Sequence, residues 1–378
     1  MLYLDHAATT PVKPEVLKAA WPYLTEEFGN PSSVHETGLR AKAALDWARE
    51  TCAKFLGVYP HEIAFTAGGT ESNNLAITGI ALGNPRGRHI VSARTEHSSV
   101  LACLDYLVAS HGFTVDYLPV DSCGRVNSEA LRLLLRPDTT LVTLMLANNE
   151  TGLIHPVAEF ASVAAEFGVP VHTDAVQAPG WFDLNAPALG VQALSLSGHK
   201  FGAPKGSGLV YLSSALTIEP LLRGGGQEQG LRSGTQNLAW AVALAVALQL
   251  AGEPGTERAK VGAVTSAFID GVLAEFDQAR LTGPSPESGE RLPAIASFTF
   301  EGINGETLLL ELENAGVQCS SGSACSAGST EPSHVLTALG IDSDTCRTAV
   351  RFSFGHDATS DQAALALAGL RQALARLG

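Results

Sequence analysis

The chain has 378 residues, 45% hydrophobic and 16% charged, a composition that allows large buried cores and excludes a disordered protein. Its formal net charge of −14 argues against binding to nucleic acids or anionic membranes, because an acidic surface repels phosphate. The longest apolar stretch, residues 239–252, falls short of the roughly 20 residues that a membrane-spanning helix requires. The N-terminus carries an acidic residue and no basic region, which argues against a signal peptide and predicts a cytoplasmic protein.

Short β-branched segments alternate with longer Ala- and Leu-rich segments through the first two thirds of the chain. We predict strands at residues 62–66, 89–93, 114–120, 140–147, 170–173, 193–197 and 208–212. We predict helices at residues 36–56, 71–82, 98–111 and 157–167, each followed by a terminating glycine at Gly57, Gly83, Gly112 or Gly168. Strands that alternate with helices indicate an α/β domain with a largely parallel sheet.

The pattern changes after about residue 250. The expected elements there are a helix at 256–276, a Pro/Gly/Ser-rich stretch at 282–290, a strand at 294–300, a helix at 305–315, a Ser/Gly loop at 320–330, a strand at 348–354 and a closing helix. This order predicts a smaller α+β domain, with a boundary near residues 252–256.

A candidate phosphate site lies at residues 66–71, where a strand ends, two glycines turn and Thr70 precedes a helix. Backbone N–H groups at a helix start attract anions, and glycines let a phosphate approach the backbone closely. An ordinary tight turn has the same pattern. Neither the dinucleotide fingerprint nor a P-loop is present, since Phe201 stands where a P-loop needs Ser or Thr.

Two further groups follow predicted strands. Asp174 ends an apolar strand, where its carboxylate could pair with a protonated ring nitrogen or simply cap a helix. Lys200 follows Ser197 and His199 in an apolar stretch, which should lower the pKa of its amine and suit it to a Schiff base. A lysine at the protein surface is the alternative. Because ligands gather where parallel strands end, the three groups together indicate a pyridoxal-phosphate enzyme with its cofactor on Lys200.

The chain resembles the NifS/IscS-like cysteine desulfurases, a group of class V aminotransferase-type pyridoxal-phosphate enzymes. The similarity runs nearly end to end and is carried by residues 3–10, 29–33, 66–74, 95–97, 148–152, 174–177, 197–200, 224–228, 232–235, 320–325 and 351–353. The Ser-Ser-Gly-Ser-Ala-Cys motif at residues 320–325 resembles the long-loop group of this family, not the short-loop group with its Gly-His-His-Cys motif.

The resemblance implies an aspartate aminotransferase-like (fold type I) architecture with a mainly parallel seven-stranded sheet. The large domain would span residues 13–253, and residues 1–12 with 254–378 would form the small domain. The implied phosphate ligands are Gly69, Thr70, Ser197, His199, and Thr235 of the partner subunit. A phosphate site shared in this way implies a homodimer.

The resemblance also implies roles around the cofactor ring and the substrate. Asp174 would pair with the pyridine nitrogen, Gln177 would contact the ring oxygen, and His97 would stack on the ring face. Asn149 would lie close to the ring and the substrate. Arg351 would bind the substrate carboxylate through a two-pronged hydrogen bond.

Cys325 lies in a small, polar segment that we expect to form a mobile loop with an exposed thiol. The implied chemistry is attack by this thiol on the sulfur of L-cysteine, which leaves L-alanine and a persulfide on Cys325. Lys200 and His97 are the candidate proton-transfer groups. Cys319 is interpreted as a buried structural residue, with a resolving thiol as the alternative.

The remaining cysteines, Cys52, Cys103, Cys123 and Cys346, are interpreted as structural because they sit in patterned segments. We expect no metal site from the histidine spacing, although a cluster ligated in part by Cys325 on a scaffold complex stays open. The sulfur acceptor would be an iron–sulfur scaffold or a tRNA-thiolation enzyme.

Three other interpretations remain. The chain could be another class V enzyme, such as an aminotransferase or a selenocysteine lyase. It could serve mainly as a scaffold for iron–sulfur assembly partners, or it could be an α/β domain that binds a different phosphorylated ligand. The cysteine at position 325 argues against an aminotransferase, which needs no loop thiol.

Overall fold

A computed structural model describes residues 1–84, 86–252, 255–321 and 331–377. Cys325 and most of the predicted loop at 320–330 lie outside the described residues. The helices are α1 (Pro14–Ala20), α2 (Pro22–Thr25), α3 (Glu36–Leu56), α4 (Gly69–Gly83), α5 (Ser98–His111), α6 (Ser128–Leu134), α7 (Val157–Glu166), α8 (Ala186–Leu189), α9 (Leu238–Ala251), α10 (Thr256–Glu275), α11 (Gly305–Asn314), α12 (His334–Ala338), α13 (Ser343–Cys346) and α14 (Ser360–Leu377). The strands are β1 (Leu2–Tyr3), β2 (Ile63–Thr66), β3 (His89–Ala93), β4 (Thr114–Leu118), β5 (Thr139–Thr143), β6 (Val171–Asp174), β7 (Ala193–Ser197), β8 (Gly208–Leu212), β9 (Ala279–Leu281), β10 (Ile295–Phe300), β11 (Val317–Gln318) and β12 (Ala349–Ser353).

Seven strands form the large sheet, in the order β2-β8-β7-β6-β5-β3-β4. Strand β8 runs antiparallel to β2 and β7, and the other neighbouring pairs are parallel. Every residue of β3, β5, β6, β7 and β8 is buried, as expected for a sheet that helices cover on both faces. The predicted α/β class and the mainly parallel seven-stranded sheet are confirmed.

Several predicted boundaries need correction. The strand predicted at 140–147 spans Thr139–Thr143. Beyond Thr143, the N–H groups of Leu144 and Leu146 still donate to the carbonyl oxygens of His172 and Asp174 of β6, but the N–H of Met145 donates to the Glu96 carboxyl (2.6 Å) and not to a strand. The strand predicted at 114–120 ends at Leu118, which pairs with Ala93, the last residue of the neighbouring strand β3. The predicted glycine stops occur at Gly57 and Gly112, which have left-handed φ values of 68° and 67°.

Gly168, directly after the C-cap Phe167 of α7, is also left-handed (φ 64°), so the predicted stop there is confirmed. The predicted stop at Gly83 is off by one residue, because this glycine is the last helical residue of α4 and Asn84 is the C-cap. At Gly83 a Cβ would stand 2.2 Å from the carbonyl oxygen of Thr217. Close packing, and not a left-handed turn, therefore explains the glycine at this position.

A second hydrophobic core lies around the antiparallel sheet β12-β10-β9. Phe268 of α10 makes edge-on contacts with Phe298, Phe352 and Phe354 of this sheet. The first strand belongs here too, because β1 pairs in parallel with β11. None of the helices in the described parts of the chain is both long and apolar enough to cross a membrane.

Candidate active site

A cavity of about 310 Å³ opens where β2, β6 and β7 of the large sheet end. Its lining includes ten residues singled out in the sequence, namely Gly69, Thr70, His97, Asn149, Asp174, Gln177, Ser197, His199, Lys200 and Arg351. Thr235 is exposed and does not line it. Cys325 lies outside the described residues. One cavity therefore brings together all the candidate residues that the structure describes, apart from Thr235.

The turn into α4 forms a close-packed backbone cradle. Gly68 has a φ of 150°, which side chains rarely adopt. A Cβ on Gly69 would stand 2.9 Å from Val176 and 3.2 Å from Ser197, and one on Gly208 would stand 2.6 Å from Gly68. Only glycine fits these positions. The free N–H groups at the start of α4 are therefore accessible to an anion beside Ser197.

Asp174 is buried at the end of β6, and two hydrogen bonds fix its carboxylate. The Asn73 side chain donates to Oδ2 (2.7 Å), and the N–H of Val176 donates to Oδ1 (3.0 Å). Asn73 also donates to Ser99 (2.9 Å). The sequence analysis did not single out Asn73, although its place on α4, three residues after Thr70, directs it to the same cavity.

Lys200 ends a short 3-10 turn directly after β7. Its amine donates to the carbonyl oxygens of Ala7 (2.5 Å) and Ala8 (2.9 Å), and Gln177 donates to the same Ala7 oxygen (3.0 Å). The N-terminal segment therefore supplies acceptors for the amine. No local pattern in the sequence indicated this contact, because residues 7 and 200 are distant along the chain.

Two histidines face the cavity with defined hydrogen bonds. His97 caps α5, and its Nδ1 accepts from the N–H of Ser99 (3.1 Å). Nδ1 of His199 lies 3.1 Å from the hydroxyl of Thr9. Burial, followed by the charge of Lys200, lowers the pKa of His199 to about 4, so this imidazole is neutral near pH 7.

Arg351 lies on β12 and also lines the cavity, with only 2% of its side chain exposed. Its guanidinium donates to the carbonyl oxygen of Asn149 (2.8 Å) and to the Asp5 carboxylate (3.0 Å). Its Nε is buried and has no hydrogen-bond partner among the described residues. A buried guanidinium with an unused donor is suited to a carboxylate ligand. The sequence analysis did not assign Asp5 a role.

Cys319 lies near the same charges. Burial, and then the charge of Asp5, raises the pKa of its thiol well above the usual value, so the thiol stays protonated. This favours the structural interpretation of Cys319 over a resolving thiol. Cys52, Cys103 and Cys346 are buried, but Cys123 is half-buried in a turn and not in a patterned segment. Among the residues that the structure describes, no cluster of His, Cys, Asp or Glu is arranged to hold a metal ion.

The cavity fits pyridoxal phosphate on four structural grounds. It lies within the common size range of cofactor sites. A backbone cradle for a phosphate adjoins it, and a buried carboxylate at Asp174 can pair with a protonated ring nitrogen. The amine of Lys200 lies in the same cavity, where it can form an imine with an aldehyde.

Comparison with known proteins gives the same result at the level of the whole chain. Residues 2–365 match the model of the family "Aminotransferase class-V". An IscS-like cysteine desulfurase from Mycobacterium tuberculosis is 44% identical, over 100% of this chain and 97% of the relative. A solved NifS-like protein superimposes with a TM-score of 0.91 at 36% identity, covering 99% of both chains. The solved structure described as SspA in complex with cysteine has a TM-score of 0.82 at 35% identity, over 94% of this chain and 99% of SspA.

Proposed function

The chain belongs to the cysteine desulfurases of the class V aminotransferase family, and from this we propose that it transfers the sulfur of L-cysteine to Cys325. It is a pyridoxal-phosphate-dependent enzyme that converts L-cysteine to L-alanine. The observation that carries the proposal is the position of the Lys200 amine, in the same cavity as Asp174 and Arg351.

The proposed cofactor contacts follow from the cavity lining. Lys200 would bind the cofactor covalently, and Asp174 would hold a proton on the pyridine nitrogen. The remaining cofactor contacts would come from Gly69, Thr70, His97, Asn149, Gln177, Ser197, His199, and Thr235 of the partner subunit. When bound, the cofactor withdraws electrons from the Cα of the substrate.

Arg351 and Asn149 would orient the substrate. Arg351 would bind the carboxylate of L-cysteine through its unused donors, with Asn149 beside it. Lys200 and His97 are the proposed proton carriers, because both line the cavity. With the carboxylate fixed on one side and the amine on the other, the substrate sulfur would point away from both.

The sulfur transfer itself needs no external oxidant. The Cys325 thiolate would attack the sulfur of L-cysteine, so that an S–S bond forms while the Cβ–S bond breaks. The electron pair of the broken bond stays with the alanine skeleton, whose Cβ then takes a proton. The products are L-alanine and a persulfide on Cys325.

Further proposals concern the assembly. We propose a homodimer in which the exposed Thr235 serves the partner subunit. We propose a large domain at residues 13–253 and a small domain formed by residues 1–12 and 254–378, in keeping with the separate cores. The persulfide would pass to an acceptor for iron–sulfur clusters, thio-cofactors or tRNA. Because this chemistry needs a reduced thiol, we propose a cytoplasmic location.

The test uses the purified, cofactor-loaded protein with the variants Lys200→Ala and Cys325→Ser. Lys200→Ala should lose the visible absorbance of a lysine-bound cofactor and form no alanine. Cys325→Ser should keep the absorbance and its change on addition of L-cysteine, but should release no sulfide. Full sulfide release by Cys325→Ser would overturn the persulfide role and favour another class V activity.

A further inference from the structure

A buried hydrogen bond joins two residues that the reaction above does not use. The hydroxyl of Ser333 donates to Oε2 of Glu150 (2.6 Å), and both residues are only 4% exposed. Glu150 directly follows Asn149, whose carbonyl oxygen accepts from Arg351. Ser333 follows Cys325 by eight residues. The bond therefore links the substrate side of the cavity to the chain segment that carries the sulfur acceptor.

The other end of that segment is anchored in the same wall. Ser320 exchanges two backbone hydrogen bonds with Arg351, of 3.1 and 2.7 Å. After Ser333, the ring of His334 donates to the carbonyl oxygen of Glu96 (2.9 Å). The residues on both sides of the segment that carries Cys325 are therefore tied to the cavity wall, at Ser320 and at Ser333.

We propose that the Glu150–Ser333 hydrogen bond is a positioning contact, which holds the downstream end of the Cys325 segment so that the thiol reaches the substrate sulfur. This inference rests on the proposed function, because it assumes that Cys325 receives the sulfur. It assigns Glu150 and Ser333 no contact with the substrate. Both residues act through the segment that Ser333 ends.

The burial of Glu150 makes its hydrogen bond with Ser333 sensitive to pH. Burial raises the pKa of the Glu150 carboxyl to about 7, against the lowering effects of Ser333, Arg351 and His97. The thiol of Cys346 also lies within electrostatic range of this carboxyl. An ionised carboxylate accepts a stronger hydrogen bond than a neutral carboxylic acid does. The contact should therefore be strong above pH 7 and weak below it.

The main test compares wild type with Ser333→Ala in single-turnover experiments on the cofactor-loaded dimer. The loss of one charge-assisted hydrogen bond should slow persulfide formation about tenfold at about pH 8. The spectroscopic Kd for L-cysteine should change less than about twofold, because Ser333 does not touch the substrate. At about pH 6 the two rates should converge, since Glu150 is then mostly protonated.

Two variants control for indirect effects. Ser333→Thr keeps the hydroxyl and the cap of α12, so it should restore the wild-type rate within about twofold. Asn304→Ala removes a comparable cap from α11, where Asn304 bonds the N–H of Thr307 (3.0 Å), and should leave the rate and its pH dependence unchanged. Glu150→Gln keeps an acceptor oxygen but cannot ionise. The effect of Ser333→Ala in this background should therefore not depend on pH. It is measured as the ratio of the rate of Glu150→Gln to the rate of the double variant Glu150→Gln/Ser333→Ala.

The possible failures are distinguishable. If wild type forms no persulfide on Cys325, the proposed function fails. If wild type forms it and Ser333→Ala matches wild type at about pH 8, only the positioning role is overturned. An equal loss at both pH values, or an equal loss in Asn304→Ala, would show a general structural effect and would also overturn the inference. Should Ser333→Ala not fold, Glu150→Gln still decides. Its rate should fall below that of wild type at about pH 8 and match it at about pH 6, and a rate ratio that does not vary with pH would overturn the inference.

Discussion

Two walls of the cavity are built in different ways. From their proposed roles, we call Gly69, Asp174, Ser197 and Lys200 the cofactor wall. We call Asn149 and Arg351, together with Asp5, which pairs with Arg351 but does not line the cavity, the substrate wall. Each member of the cofactor wall ends a strand or follows one within three residues, so the large sheet fixes its position. The substrate wall depends on two hydrogen bonds of Arg351. One goes to Asn149, which is 202 positions away in the sequence, and the other to Asp5, which is 346 positions away. The first wall is a property of one sheet, whereas the second exists only where three distant segments meet.

This difference predicts where substitutions act. A change in the cofactor wall should alter the chemistry and leave the fold intact, because backbone pairing holds the wall in place. A change in the substrate wall should alter the affinity for L-cysteine and also the stability, because its side chains hold the segments together.

Asp174→Asn should have the largest effect. The amide keeps the shape of the carboxylate but not the charge that would hold a proton on the cofactor ring. Turnover should fall several-hundred-fold, which corresponds to about 3–4 kcal/mol in the activation barrier. Alanine formation at saturating L-cysteine measures this effect, and the melting temperature should stay close to that of wild type.

The matched control is Asp116→Asn, an acidic residue of the same sheet that does not line the cavity. It should keep full turnover. If Asp174→Asn retained more than about a tenth of the wild-type rate, or unfolded at a much lower temperature, the cofactor wall would not be the rigid element described here.

Arg351→Lys tests the substrate wall. An ammonium group cannot reproduce the planar fork, so the Kd for L-cysteine should rise about ten- to a hundredfold, the value of one charge-assisted pair. The absorbance of the lysine-bound cofactor should persist. Because the guanidinium also holds Asn149 and Asp5, urea denaturation should show lower stability than wild type.

The half-exposed Arg125, which pairs with Glu290, supplies the control variant Arg125→Lys. It should change neither the affinity nor the stability by a measurable amount. An unchanged Kd for L-cysteine in Arg351→Lys would show that Arg351 does not bind the substrate. If Asp174→Asn lost stability and Arg351→Lys did not, the expected difference between the two walls would be the opposite of the one proposed.

Cys319→Ala should have the smallest effect. The thiol is half-buried and its pKa is raised, so it is protonated, and sulfide release in the presence of a reductant should stay within about twofold of wild type. The shortened side chain should cost about 1 kcal/mol of stability in urea denaturation. A large fall in sulfide release with normal alanine formation would instead restore the role of a resolving thiol.

The same contrast explains how far the sequence was predictive. Strands such as β3, β7 and β8 were predicted to the residue, because short, largely apolar runs that are buried on both faces leave a strong local pattern. The cofactor wall follows from those strand ends. Strands β1, β9 and β11 have two or three residues, too few for any periodicity, and were missed. Asp5 and the Ala7 carbonyl were missed because only tertiary contacts bring them to Arg351 and Lys200.

The pairing of β1 with β11 has a consequence for the order in which the molecule is made. Leu2 is synthesised 315 residues before its partner Val317. At about 5–20 residues per second, this separation amounts to many seconds. Only the completed N-terminal segment brings the carbonyl groups of Ala7 and Ala8 to the Lys200 amine. The nascent chain can thus form its large sheet before the N-terminal segment is in place beside Lys200.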